Sequence, residues 1–189
     1  TRFFDRREIK DVLAYLKAAL NPSDLENFRR ALQTPARGLG KVTLLKILAG
    51  QIESLPLNQQ QKIKTFRELL TTIAARVETE PVAKVLSYII RASGLAESLT
   101  TGGQDDRERL ENVQELVSLA VKYDHLPPEE GAAMLLAEAA LVSDQDSLTL
   151  ERKSAINLMT VHAAKGLEFD RVFIVGLEQG LFPHERFGA

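Results

Sequence analysis

Apolar residues recur at helical spacing through most of the first 140 positions of the chain. Ile9, Val12, Leu13, Leu16 and Leu20 fall three to four residues apart with one adjacent pair, which predicts an amphipathic helix over 5–20. Asn21-Pro22 ends it, because the residue before a proline is pushed out of the helical region. Ser23-Asp24-Leu25-Glu26 has the form of a capping box, in which Ser23 and Glu26 satisfy the first free amides of a second helix. That helix carries Leu25, Phe28 and Leu32 inward and must stop near Thr34-Pro35. Gly38 and Gly40 bracket a tight turn before Val42, Leu44, Leu45 and Leu48 build the next helix, so 34–48 reads as helix, hairpin, helix. Further helices are predicted at 58–77, 81–92, 105–123 and 128–141. Ile63, Phe66, Leu69, Leu70 and Ile73 mark the inner face of the first of these, and Leu110, Val113, Leu116, Val117 and Ala120 that of the third. Pro81 and Pro128 suit first-turn positions, and Gly94 suits a helix C-terminus. The stretch 98–104 reads as a polar loop and 143–154 as a polar linker.

The periodicity changes near the C-terminal end. Residues 157–161 are short and mostly apolar, and 171–176 have the β-branched and aromatic content of a strand buried on both faces. Between them lies the polar turn His162-Ala163-Ala164-Lys165-Gly166-Leu167-Glu168. Thr160, His162, Lys165 and Glu168 thereby gather at the carboxyl end of a strand, where open α/β sheets place ligand sites. Anions and sugars suit that donor set. Phe3, Phe4, Phe169, Phe173 and Phe182 read as core.

Composition narrows the class of protein. With 44% apolar and 26% charged residues, the chain has enough apolar content for one or two modest cores and enough charge for solubility. It shows neither an 18-residue apolar run nor a basic-then-apolar start, so membrane insertion and secretion are unsupported and a cytoplasmic location is expected. The absence of cysteine excludes thiolate metal sites, and three scattered histidines, His125, His162 and His184, make no metal constellation. The net charge of -2 hides an uneven distribution. Residues 1–50 hold ten lysines and arginines against five acids, while 51–150 hold nine against sixteen. The basic excess surrounds the glycine hairpin, where a phosphate backbone is the natural partner.

The run NLMTVHAAKGLEFDRVFIVGLEQGLFP, residues 157–183, closely resembles motif V of the superfamily 1 DNA helicases of the UvrD/Rep/PcrA type. RFFDRREIKDVLAYL resembles the segment after motif IV in that family, and TPARGLGKVTLLKI the glycine hairpin of its 2B subdomain. DRERLENVQEL resembles the Arg-x-x-Asn helix later in 2B, and LFPHERF the start of the stretch toward motif VI. These anchors keep family order from Arg2 to Phe187; between Gly50 and Leu99 only helical character matches. The resemblance implies a mostly α chain, with a helical 2B subdomain at 21–153 inserted into an incomplete RecA-like α/β subdomain, 2A. Residues 1–20 and 154–189 would be the two parts of 2A, the latter supplying a few strands. The implied activity is that of an ATP-dependent 3′ to 5′ DNA helicase in repair or replication. The implied partners are single-stranded and duplex DNA, with repair or replication proteins reached through 2B. ATP with Mg2+ is implied for the full-length enzyme and no cofactor for the isolated chain. A recombination helicase-nuclease shares motif V, and a non-enzymatic DNA-binding or partner-docking module is the reading from another class.

The resemblance places Lys165 near the ATP γ-phosphate and Glu168 on the ribose, where a mobile ammonium and an accepting carboxylate are chemically suited. It places Thr160 and His162 on the single-stranded DNA backbone. Without it, Lys165 and Glu168 read as turn residues that satisfy local backbone groups, and His162 as a buried side chain with a backbone partner. Arg37, Gly38, Gly40 and Lys41 are expected to grip duplex DNA, the glycines letting backbone approach phosphate closely; the plain alternative is a tight turn flanked by solvated charges. Arg107, Arg109 and Asn112 suit a second duplex contact, or surface ion pairing with the acids around them. The rest of an ATPase is missing. Gly38-Leu39-Gly40-Lys41-Val42-Thr43 fails the P-loop pattern, which needs glycine at Pro35 and a hydroxyl at Val42. Asp105-Asp106 follows a polar stretch instead of a buried strand, and no motif VI arginine appears before Ala189. The chain is therefore expected to be a fragment that is inactive alone, with no complete catalytic set.

Overall fold

The computed structural model describes residues 3–101, 103–147, 159, 164, 168–169 and 171–175. By compactness the chain divides into two units, Thr1–Leu150 and Glu151–Ala189. The first is helical. Its α-helices are α1 (Arg7–Leu20), α2 (Leu25–Gln33), α3 (Lys41–Leu48), α4 (Leu57–Thr79), α5 (Val82–Ala92), α6 (Leu95–Thr100), α7 (Gln104–Ala120) and α8 (Pro128–Ser147). Short 3-10 turns occupy Phe3–Asp5, Ile52–Ser54 and Val121–Tyr123. The chain is mostly α, and no strand occurs among the described residues.

The sequence predicts a one-faced α1, but the helix is buried almost all round. It packs against α2, α4, α5 and α7, and Ile9, Val12, Ala14, Tyr15 and Leu16 are fully buried. A helix so enclosed must also satisfy its polar residues. Asp11 accepts from Arg30 Nε at 2.7 Å. Burial still raises its carboxyl above the ordinary value, against the attraction of Arg30 and Arg7. Glu8 accepts from Asn112 Nδ2 of α7 at 2.7 Å, and Asn112 Oδ1 accepts from Arg6. These bonds tie the entry of the chain to α7.

Several local expectations shift by a residue or more. The cap of α2 is Asp24, whose Oδ1 accepts from the Asn27 amide at 3.0 Å. Ser23 instead bonds Asn21 Oδ1, so the predicted Ser23–Glu26 capping box is one residue out of register. Leu25 then opens the helix facing solvent, while Leu32 is buried as expected. The amide bond from Asn27 depresses the Asp24 carboxyl. Pro81 precedes α5 as its cap position instead of sitting in the first turn. Gly94, at φ 82, turns the chain after α5 as expected, but the predicted polar loop at 98–104 begins inside a helix. The hydroxyls of Ser98, Thr100 and Thr101 bond back to carbonyls three or four residues earlier, which fits them to α6. α8 runs on to Ser147, into the stretch predicted as linker.

Phe4 is buried and Phe3 packs against the core as predicted, whereas Phe169 and Phe173 are exposed. Arg171 to Val175 form no strand, and Phe173 is 87% exposed. A strand is stable only when paired, and no described residue pairs with it, so the expected doubly buried strand is not found there. Phe182 and most of the first predicted strand lie outside the described residues.

Candidate nucleic-acid interface

The segment between α2 and α3 forms the glycine hairpin. Thr34 leaves α2 in extended backbone, and Gly38 adopts φ +68, a left-handed conformation that a side chain would strain. Gly40 is different. Its φ is -74, and a Cβ added there meets nothing within 4 Å. The fold makes no demand for glycine at 40, and the space outside it is open. Gly40 also offers no side-chain cap to α3, so the first amides of that helix gain no side-chain partner from their cap residue. Lys41, exposed, is the first helical residue, and α3 has no acid in its first turn.

Arg37 turns inward. Its Nη1 donates to the carbonyls of Ala31, Leu32 and Pro35, each at 3.0 Å. Its Nη2 donates to Tyr15 Oη at 2.6 Å and more weakly to Ser93 O at 3.4 Å. The guanidinium also lies over the rings of Phe66 and Tyr15, 5.2 Å and 5.8 Å from their centroids. Tyr15 passes the chain of bonds on, donating to Thr34 O at 2.5 Å. Burial raises the Tyr15 phenol, with Arg37 opposing, and so keeps it protonated as that donor. One arginine thus closes the C-terminal end of α2 and joins it to α1, α4 and the end of α5.

Two side chains of α4, one turn apart, hold the hairpin from the other side. Gln59 Oε1 accepts from Thr43 of α3 at 3.0 Å, and Lys62 Nζ donates to Arg37 O at 2.8 Å. Lys62 was not foreseen from the sequence. It sits 25 positions from Arg37 in a helix read only for its apolar face, and no local signal marks it. A cleft of about 620 Å³ lies beside the hairpin, bordered by Arg37, Gly38, Gln61, Lys62, Thr65 and Ser93.

The other predicted site residues are spread out. In α7, Arg109 pairs with Asp106 at 2.9 Å and Asn112 is tied to Arg6 and Glu8, while Arg107 is exposed. Glu168 is exposed; Thr160, His162 and Lys165 lie outside the described residues. Among the described residues no group of His, Asp and Glu converges as a metal site. No described helix is long and apolar enough to cross a membrane.

Residues 1–188 match the model of the UvrD-like helicase C-terminal domain. Over 98% of its length the chain is 32% identical to the ATP-dependent DNA helicase PcrA of Bacillus subtilis and covers 28% of that protein. PcrA of Staphylococcus aureus is likewise 32% identical over 98% of the chain, again with 28% of the relative covered. PcrA of Leuconostoc citreum is 33% identical over the same share. The chain belongs to the UvrD-like helicase family. It spans little more than a quarter of the length of these curated relatives.

Proposed function

We propose that this chain is the DNA-engaging C-terminal region of an ATP-dependent 3′ to 5′ DNA helicase. In this reading 21–153 is a 2B subdomain inserted between two parts of 2A, 1–20 and 154–189, although α1 itself packs within the helical unit. The observation that carries the duplex-binding role is the hairpin. Gly40 and the uncapped start of α3 leave backbone amides open beside the exposed Lys41, which suits a sequence-independent grip on phosphate. Gly38 and Arg37 give that grip its shape, and Arg107 and Arg109 border a second, weaker contact. Motif V supplies the other half. Thr160 and His162 donate to the single-stranded backbone, Lys165 lies near the γ-phosphate, and the exposed Glu168 accepts from the ribose. ATP with Mg2+ belongs to the full-length enzyme in this reading. Repair or replication proteins are further partners in this reading.

Kinetics of the full-length enzyme test the motif V roles. Glu168→Ala is expected to raise the apparent KM for ATP with little effect on kcat. Lys165→Ala is expected to depress kcat by roughly 100-fold, since a cation aimed at developing phosphoryl charge acts mainly in the transition state. His162→Ala is expected to leave ATP binding intact and raise the DNA concentration for half-maximal ATPase stimulation. Wild-type constants in all three variants at a permissive temperature would make the turn purely structural.

A further inference from the structure

Gly38 and Lys62 meet across the hairpin, although they belong to different elements. Lys62 Nζ lies 2.8 Å from Arg37 O and 3.5 Å from where a Cβ at Gly38 would stand. Its side chain is exposed, and an ammonium has three donors, of which the carbonyl uses one. Arg37 presents the opposite case. Its terminal nitrogens face Ala31, Leu32, Pro35, Tyr15 and Ser93, so its charge is spent within the fold. Arg37, placed by the sequence where a phosphate contact is expected, is thus turned inward, while Lys62 is a cation exposed at the hairpin.

We propose that Lys62 is a phosphate-contacting residue of the duplex interface and that Arg37 is a positioning residue that acts through the shape of the hairpin. The proposal rests on the duplex-binding reading of the hairpin given above. Lys62 is anchored by the backbone it would serve, because the carbonyl bond holds Nζ at the rim of the cleft beside Gly38. A phosphate that approached the hairpin beside Gly38 would meet the ammonium of Lys62. Thr43 and Gln59, bonded at 3.0 Å, join α3, which begins at Lys41, to α4, which carries Lys62. An arginine at 62 would keep the charge, whereas a glutamine, one bond shorter, keeps N–H donors but loses it.

The test is the salt dependence of binding to a blunt duplex of mixed sequence, followed by anisotropy, with thermal melting of each variant in parallel. For the wild-type chain, log affinity should fall linearly with log salt. Lys62→Gln should reduce the slope by about 0.9, the value for one neutralised phosphate contact, with only a small fall in melting temperature, since the bond to Arg37 O that it loses is a single, solvent-exposed one. Lys62→Arg should restore the slope. Arg37→Lys should instead lower the melting temperature, since one ammonium cannot replace a forked guanidinium. An unchanged slope in Lys62→Gln, with a reduced slope in Lys41→Gln, overturns the role of Lys62 and leaves the hairpin reading standing. No salt-dependent binding by the wild type, or no change in either variant, overturns both.

Discussion

Arg37→Ala should lower the melting temperature of the chain by roughly 10 °C. The guanidinium donates to four backbone carbonyls and to Tyr15 Oη, and hydrogen bonds from a charged donor contribute about 1.5–3 kcal/mol each before non-additivity is allowed for. Truncation leaves the carbonyls at the end of α2 without these donors and removes the cation over Phe66 and Tyr15. A net loss of about 3–4 kcal/mol is a reasonable expectation, and in a domain of this size about 2–4 °C accompany each kcal/mol. Calorimetry or circular dichroism melts will check it. A change below about 2 °C would mean that the network contributes little to stability.

Phe66→Ala is expected to cost about 3–5 kcal/mol, the range for removing a buried aromatic ring. Phe66 is fully buried, and its ring meets Phe28 edge-on at 5.3 Å and Tyr15 at 6.1 Å. It joins α4 to α1 and α2 and also forms the floor under Arg37. The two substitutions share partners and should not add. A double-mutant cycle between Phe66→Ala and Arg37→Ala is expected to show a coupling of about 0.5–3 kcal/mol. Strict additivity in urea unfolding would contradict the stacked arrangement.

Much of the helical unit was legible because a period of 3.6 residues reports burial directly. Ile63, Phe66, Leu70 and Ile73 were predicted inward on α4 and are buried, as are Val113, Leu116 and Ala120 on α7. What a period does not report is how many neighbours a helix has. α1 reads as one-faced, yet its alanines and Tyr15 are enclosed as well, because α2, α4, α5 and α7 all use it as their centre. Cap register failed at Ser23 because Ser23 and Asp24 both accept amide bonds well, and only the turn at Asn21 decides between them. α6 was hidden by hydroxyls that favour turns in sequence but bond back to the helix in place.

The glycine hairpin was legible as a location and less so as a geometry. Arg37-Gly38-Leu39-Gly40-Lys41 reads as a basic glycine turn, and it is one. The inward direction of Arg37 depends on Tyr15, Phe66 and Ser93, which reach it from three other places in the chain. Lys62 reaches the hairpin in the same way. At the C-terminal end, β-branched content at 171–175 pointed to a strand, but strand formation depends on a partner and composition alone does not supply one.

The absence of cysteine allows the central claim to be tested at a single chosen position. Val42, 70% exposed in the first turn of α3, stands beside the hairpin, and Met134, 47% exposed, lies on α8. A photo-crosslinker attached to Val42→Cys is predicted to capture duplex DNA at low salt and to lose it as salt rises. The same probe on Met134→Cys should capture little. No crosslink from position 42, or equal yields from both positions, would contradict the assignment of duplex binding to the hairpin.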